Sequence, residues 1–298
     1  MADNPSQIVT LNDSEKALVV EKKATCPFIG SAVAQGDLAV RNEARNPLAS
    51  IEDVRILGNS GGGDLGDLLV IFAAGNHALM RGSSGKLDAV APANLFSLEF
   101  PASQGSHPGH SGILQGDPET LDSGRFSQAD FDRLLSHAND GVIKRSDVGR
   151  FIAENLIRDP RSKVADLNTA ELLAADVANL VGTAGSALVS KLFGSEKGSG
   201  TTHREVEEKL TKLTGENNLV GSCGEFGLLF AFVANKPGAR KVKGEPAADV
   251  ADLKTMFVDK RLPQGWESWK KSRVDWVTNT TGLLVSAAKE YRRLKASQ

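Results

Sequence analysis

Cysteine, tyrosine and long apolar runs are what this sequence has least of, and each shortage excludes something. Its 298 residues include two cysteines and one tyrosine. Cys26 and Cys223 lie far apart in the chain, which excludes a disulfide framework or a cage of several thiolates and leaves open one bridge or one reactive thiol. The longest apolar runs, Leu68 to Ala74 and Leu228 to Ala234, fall well short of the roughly 18 uncharged apolar residues that cross a bilayer. No membrane span is expected. Neither sign of charge dominates: 35 basic against 37 acidic residues leave a net charge of −2, which argues against a clustered basic surface and so against nucleic acid as a partner. Met1 to Gln7 lack the basic start and apolar run of a secretory signal, so the chain as given is expected to be intracellular or a mature secreted form.

What is present reads as helix. Strand-like alternation is scarce, and the expected fold is a mostly α, single helical domain over residues 21–298, preceded by a polar segment over 1–20 and softened by a polar linker near 195–202. The glycine run Gly61-Gly62-Gly63 predicts a turn ahead of a helix that starts near Asp64 and loosens at Gly75 and Asn76. No lysine with serine or threonine follows it, so it is read as a turn and not as a phosphate cradle. Further helices are expected over 146–157, 170–193, 205–213, 250–258 and 277–294.

Three places carry candidate chemistry. Ser106-His107-Pro108-Gly109-His110-Ser111-Gly112 gathers two of the five histidines on a segment that proline and glycine keep from being a regular helix. Imidazoles so placed can share a metal or divide acid/base work, although a plain surface turn has the same composition. Glu225 heads the almost wholly apolar run Phe226 to Phe232, and a carboxylate there is either a helix-start cap or a group whose raised pKa suits acid/base catalysis. Ser127 caps a helix that leads through Asn139-Asp140-Gly141 into a second helix, resembling an EF-hand in outline. Aligned on Gly141, its first ligand positions hold Ser136 and Ala138 and its last holds Asp147, which predicts poor calcium affinity.

Taken together, several segments resemble the heme-thiolate peroxidases, the family of chloroperoxidase and the unspecific peroxygenases. Phe72 to Leu79, with Arg81-Gly82 and Gly85-Lys86, resembles the family's early helix ending in asparagine-histidine-glycine. Ser106 to Gly112 falls where the family carries its glutamate-histidine-aspartate motif, and Arg261-Leu262-Pro263 with Gly265-Trp266 resembles its closing signature. Thr25-Cys26-Pro27 is similar to its proline-cysteine-proline motif. The resemblance implies a helical fold around a heme, with Cys26 as the iron ligand and Asn76 and His77 at the cofactor. It also implies Glu225 as the acid/base group oriented by His110 or His107, a small apolar or aromatic substrate with peroxide as partner, and a divalent cation in some members. Two other readings stay open: a non-heme metal enzyme using His107 and His110 with Asp117 or Glu225, and a non-catalytic helical binding protein built on the EF-hand-like unit.

Overall fold

Local signals at helix ends set most of the boundaries. In the computed structural model, which describes residues 7–22, 24, 26–42, 47–76, 95–97, 126–158, 219–233 and 235–298, nine α-helices and five short strands are present. Helix α1 (Asp13–Lys22) and α2 (Pro27–Gln35) are joined by a tight turn, and α2 stops where Gly36 takes the left-handed conformation and returns its N–H to the Val33 carbonyl. Strand β1 (Leu48–Ser50) ends in Ser50, whose Oγ accepts the Glu52 N–H and so opens α3 (Ile51–Asn59). A 3-10 turn (Ser60–Gly62) then leads to α4 (Gly66–Asn76), and β2 (Leu95–Ser97) pairs antiparallel with β1.

The second half is built the same way. Ser127 caps α5 (Gln128–Leu135): its Oγ accepts the Asp130 N–H and donates to the Asp130 carboxylate. Asp140 and Gly141, both at positive φ, turn the chain into β3 (Val142–Lys144) and then α6 (Arg145–Arg158). Helix α7 (Leu219–Val233) is followed by β4 (Arg240–Val242), β5 (Glu245–Asp249) and α8 (Val250–Phe257), with β5 central in an antiparallel sheet of order β3-β5-β4. Last comes α9 (Arg273–Lys295), opened by the Ser272 Oγ accepting the Val274 N–H.

Packing makes these one unit. Helix α9 lies along both α6 and α7, α3 lies on α4, and α1 on α2. Phe151 of α6 meets Phe226 of α7 edge-on at 6.4 Å, and Trp276 of α9 donates its indole N–H to the Gly224 carbonyl of α7 at 2.9 Å. One hydrophobic cluster runs from Leu11 to Ala288, so the described residues form a mostly α domain with a common core. The polar segment expected over 1–20 is corrected in part: α1 begins inside it, and its Val19 and Val20 are buried in that core. Residues 170–193, 205–213 and the linker near 195–202 lie outside the described residues.

Glycines 61–63 form a turn, as expected, but a packed one. Gly61 has φ 67°, and a Cβ there would collide with the Trp269 carbonyl; a Cβ on Gly63 would strike the backbone of Lys271. Gly61 and Gly63 leave room for the segment before α9, while Gly62 serves the turn by its φ of 71°.

Candidate active site

The site is best built from the turn before α2. The Ala24 N–H closes α1 on the Val19 carbonyl at 2.6 Å, and two residues later Cys26 takes the N-cap of α2 with Pro27 at the first helical position. The Cys26 carbonyl accepts the Gly30 N–H at 2.7 Å. Only glycine fits at position 30, because a Cβ would run into the Ala24 carbonyl oxygen. The turn is thereby pressed onto its own helix, and Cys26 is left 9% exposed at the head of α2.

Cys26 borders an apolar cavity of about 110 Å³. The wall is hydrocarbon from four directions: Phe28 of α2, Leu65, Leu69 and Ala73 at α4, Phe226, Leu228, Leu229 and Phe232 of α7, and Met256 and Phe257 of α8. A dry cavity near 150 Å³ with walls of this kind holds a benzene-sized guest, which sets the scale here. Besides Cys26, the ionisable residues on the wall, among the described residues, are Glu225 and Lys271.

Glu225 is the seventh residue of α7, well past its first turn, so it does not cap the start of that helix. It lies on the cavity wall. Cys223, one of the same helix, is fully buried away from that wall, and burial pushes its thiol far above the usual range. Burial thus keeps the Cys223 thiol protonated, and Cys26 is the cysteine on the cavity wall.

Two lysines complete the electrostatics. Lys260, in the left-handed region at φ 53°, holds its ammonium 5.2 Å from the centre of the Phe126 ring. Burial lowers its pKa, and charge on Cys26 acts in the opposite direction. The loop carrying Lys260 is tied to α2 by the Leu262 N–H donating to the Gln35 side-chain oxygen at 2.7 Å. Lys271 is 1% exposed. Burial draws its pKa down to about 8, with Glu267 opposing, so it remains an ammonium at neutral pH.

Of the residues singled out from sequence, Cys26 and Glu225 are brought together on one wall. Asn76 is the last residue of α4, the helix that supplies Leu69 and Ala73 to that wall, while its side chain, with His77, His107, His110 and Asp117, lies outside the described residues. The EF-hand-like loop is occupied by its own contacts. Asp147 accepts the Lys144 N–H at 3.2 Å and lies 3.5 Å from its ammonium, and Ser136 donates to the Arg133 carbonyl. Among the described residues no group of three or more His, Cys, Asp or Glu side chains is placed to hold a metal. Lys271 escaped the sequence reading, since nothing in Trp269-Lys270-Lys271 separates the exposed lysine from the buried one. No family model, no curated protein and no solved structure matches this chain.

Proposed function

We propose that the cavity beside Cys26 is the active site of a heme-dependent peroxidase or peroxygenase that oxidises a small apolar or aromatic substrate with peroxide. The observation that carries this is the meeting of Cys26, from the first helices, with Glu225, from α7, on a wall that is otherwise almost entirely apolar. The donor set suits a heme-thiolate centre: one cysteine at a helix N-terminus and one carboxylate on the same cavity wall. A cavity of about 110 Å³ is too small for a whole porphyrin, so the described walls account for the sulfur, the carboxylate and a substrate-sized pocket.

A heme held by Cys26 would supply peroxide activation, which a thiolate ligand would favour by pushing electron density toward O–O cleavage. The chain's own residues do the rest. Pro27 and the tightly packed Gly30 fix the backbone at Cys26, so little of it would reorganise if the sulfur held a metal. Glu225 takes a proton at a carboxylate oxygen and gives it back, a step worth roughly 10²–10⁴ in rate for a positioned group. The leucine and phenylalanine wall excludes water and selects an uncharged guest. His110 and His107 are assigned to orienting Glu225, and Asn76 and His77 to the cofactor.

The test is heme titration of the purified chain followed by peroxide turnover of a small phenol. The parent is expected to take up one equivalent with a Soret band, and Glu225→Gln to keep that band while losing about 10²–10⁴ of turnover. A chain that remains colourless in excess heme overturns the proposal.

A further inference from the structure

The buried ammonium of Lys271 is held in a way that carries an assignment of its own. Its Nζ donates to the Ser60 hydroxyl at 2.7 Å, the Trp269 carbonyl at 2.8 Å and the Trp266 carbonyl at 2.9 Å, with the Ser60 carbonyl further out at 3.4 Å. Three N–H bonds of the ammonium meet three short acceptors, so its donors are matched one for one. The same atom lies 5.1 Å from the centre of the Phe232 ring and 5.0 Å from that of Trp266. Those rings stack at 6.0 Å, and Phe28 closes on both, at 4.8 Å from Phe232 and 5.8 Å from Trp266.

The charge is therefore answered by carbonyl dipoles, a hydroxyl and two π faces. Such a set of acceptors is specific for a compact cation with three divergent donors. A planar guanidinium presents its donors in a fixed fork and does not match it.

We propose that Ser60, Trp266, Trp269 and the faces of Phe232 and Trp266 form a primary-alkylammonium site that the chain fills with its own Lys271. Filling it fixes the aromatic side of the cavity: the ammonium joins the 3-10 turn after α3 to the segment before α9 and sets the Trp266 and Phe232 rings against Phe28, which lines the cavity beside Cys26. The assignment does not depend on the cavity's chemistry or on any bound cofactor.

Substitution with rescue tests it on the full chain. Lys271→Ala deletes three methylenes and the ammonium, a fragment equal to n-propylammonium. The background carries Trp276→Phe, so that emission comes from Trp266 and Trp269, the two remaining of the three tryptophans. Lys271→Ala is expected to redden that emission and to lower Tm by about 5–10 °C, since it strips donors from several buried acceptors at once. Millimolar n-propylammonium restores both, equimolar 1-propanol restores neither, and Lys271→Arg resembles the alanine variant. Should Lys271→Ala fail to fold, Lys271→Met decides: it keeps the apolar stem and lacks the charge, so it must fall below the parent in Tm and change the emission. Equal rescue by propylammonium and propanol, or a methionine variant that matches the parent in both readouts, overturns the assignment.

Discussion

Two cavities of this molecule make opposite uses of polar groups. The one beside Cys26 is the smaller, about 110 Å³, and sets one thiol and one carboxylate in a hydrocarbon wall near the lysine cage. The one between the EF-hand-like loop and the β4–β5 hairpin is larger, about 220 Å³, and is lined by His137, Asn139, Asp140, Lys144, Asp147, Arg240 and Lys243. Volume and charge favour the second as a site, yet its groups are engaged with one another. His137 pairs with Glu154 at 3.2 Å, Lys144 with Asp147 at 3.5 Å, and Arg240 donates to the Asp140 carbonyl at 3.2 Å. The ionisable groups on the apolar wall sit in a low dielectric, whereas those of the polar cavity answer one another close to solvent.

Substitutions on the two walls should separate them. The largest contrast is catalytic: Glu225→Gln is expected to lose about 10²–10⁴ of peroxide turnover, while His137→Gln, on the polar cavity, leaves turnover unchanged in the same phenol assay. Equal losses would erase the distinction. Next is stability. Phe226→Ala removes a buried ring from the apolar wall and should cost about 3–5 kcal/mol by urea denaturation, against less than about 0.5 kcal/mol for Lys243→Ala on the exposed hairpin. Gly61→Ala comes third, at roughly 1–3 kcal/mol, because the new Cβ meets both a left-handed backbone and the Trp269 carbonyl; thermal melts that show no loss would mean that the turn is not held against that segment.

The smallest effect belongs to neither cavity. Hydrogen bonds from Arg293, at 2.7 and 2.9 Å, hold the Glu290 carboxyl below the usual range. The folded chain thus releases this proton at lower pH than the unfolded chain does. The pair stabilises the fold at neutral pH, and the gain disappears as pH falls through the carboxylate range. Glu290→Gln should remove a few tenths of a kcal/mol at pH 7 and progressively less as pH falls, and leave any heme spectrum untouched.

How much of this was legible in the sequence depends on how local its cause is. Ser127 announces α5 because a cap acts over three residues, and the amphipathic stretch before Leu294 announces α9 because a helical stripe repeats along one segment. Cys26 and Glu225 were each visible as chemically odd residues in their surroundings, a cysteine before proline and an acid in an apolar run. That they share a wall was not visible, since it depends on α2 and α7 meeting across the core. Asp64 teaches the same point: it reads as a first-turn acid of α4, but it precedes that helix and its carboxylate accepts the Arg273 N–H at 2.7 Å, capping α9. β5 is harder still. Glu245-Pro246-Ala247-Ala248-Asp249 has poor strand propensity, and it is a strand because β3 and β4 flank it. The Lys271 cage combines residues about 60 and 270 in the sequence and leaves no local trace.

The most direct test of the central claim is the spectrum of the reduced, carbon-monoxide-treated protein after heme loading, recorded for the parent, Cys26→Ala and Cys223→Ala. The account predicts a thiolate-type band in the parent and in Cys223→Ala, with the band absent from Cys26→Ala. A thiolate-type band that survives removal of Cys26, or its absence from all three, would contradict it.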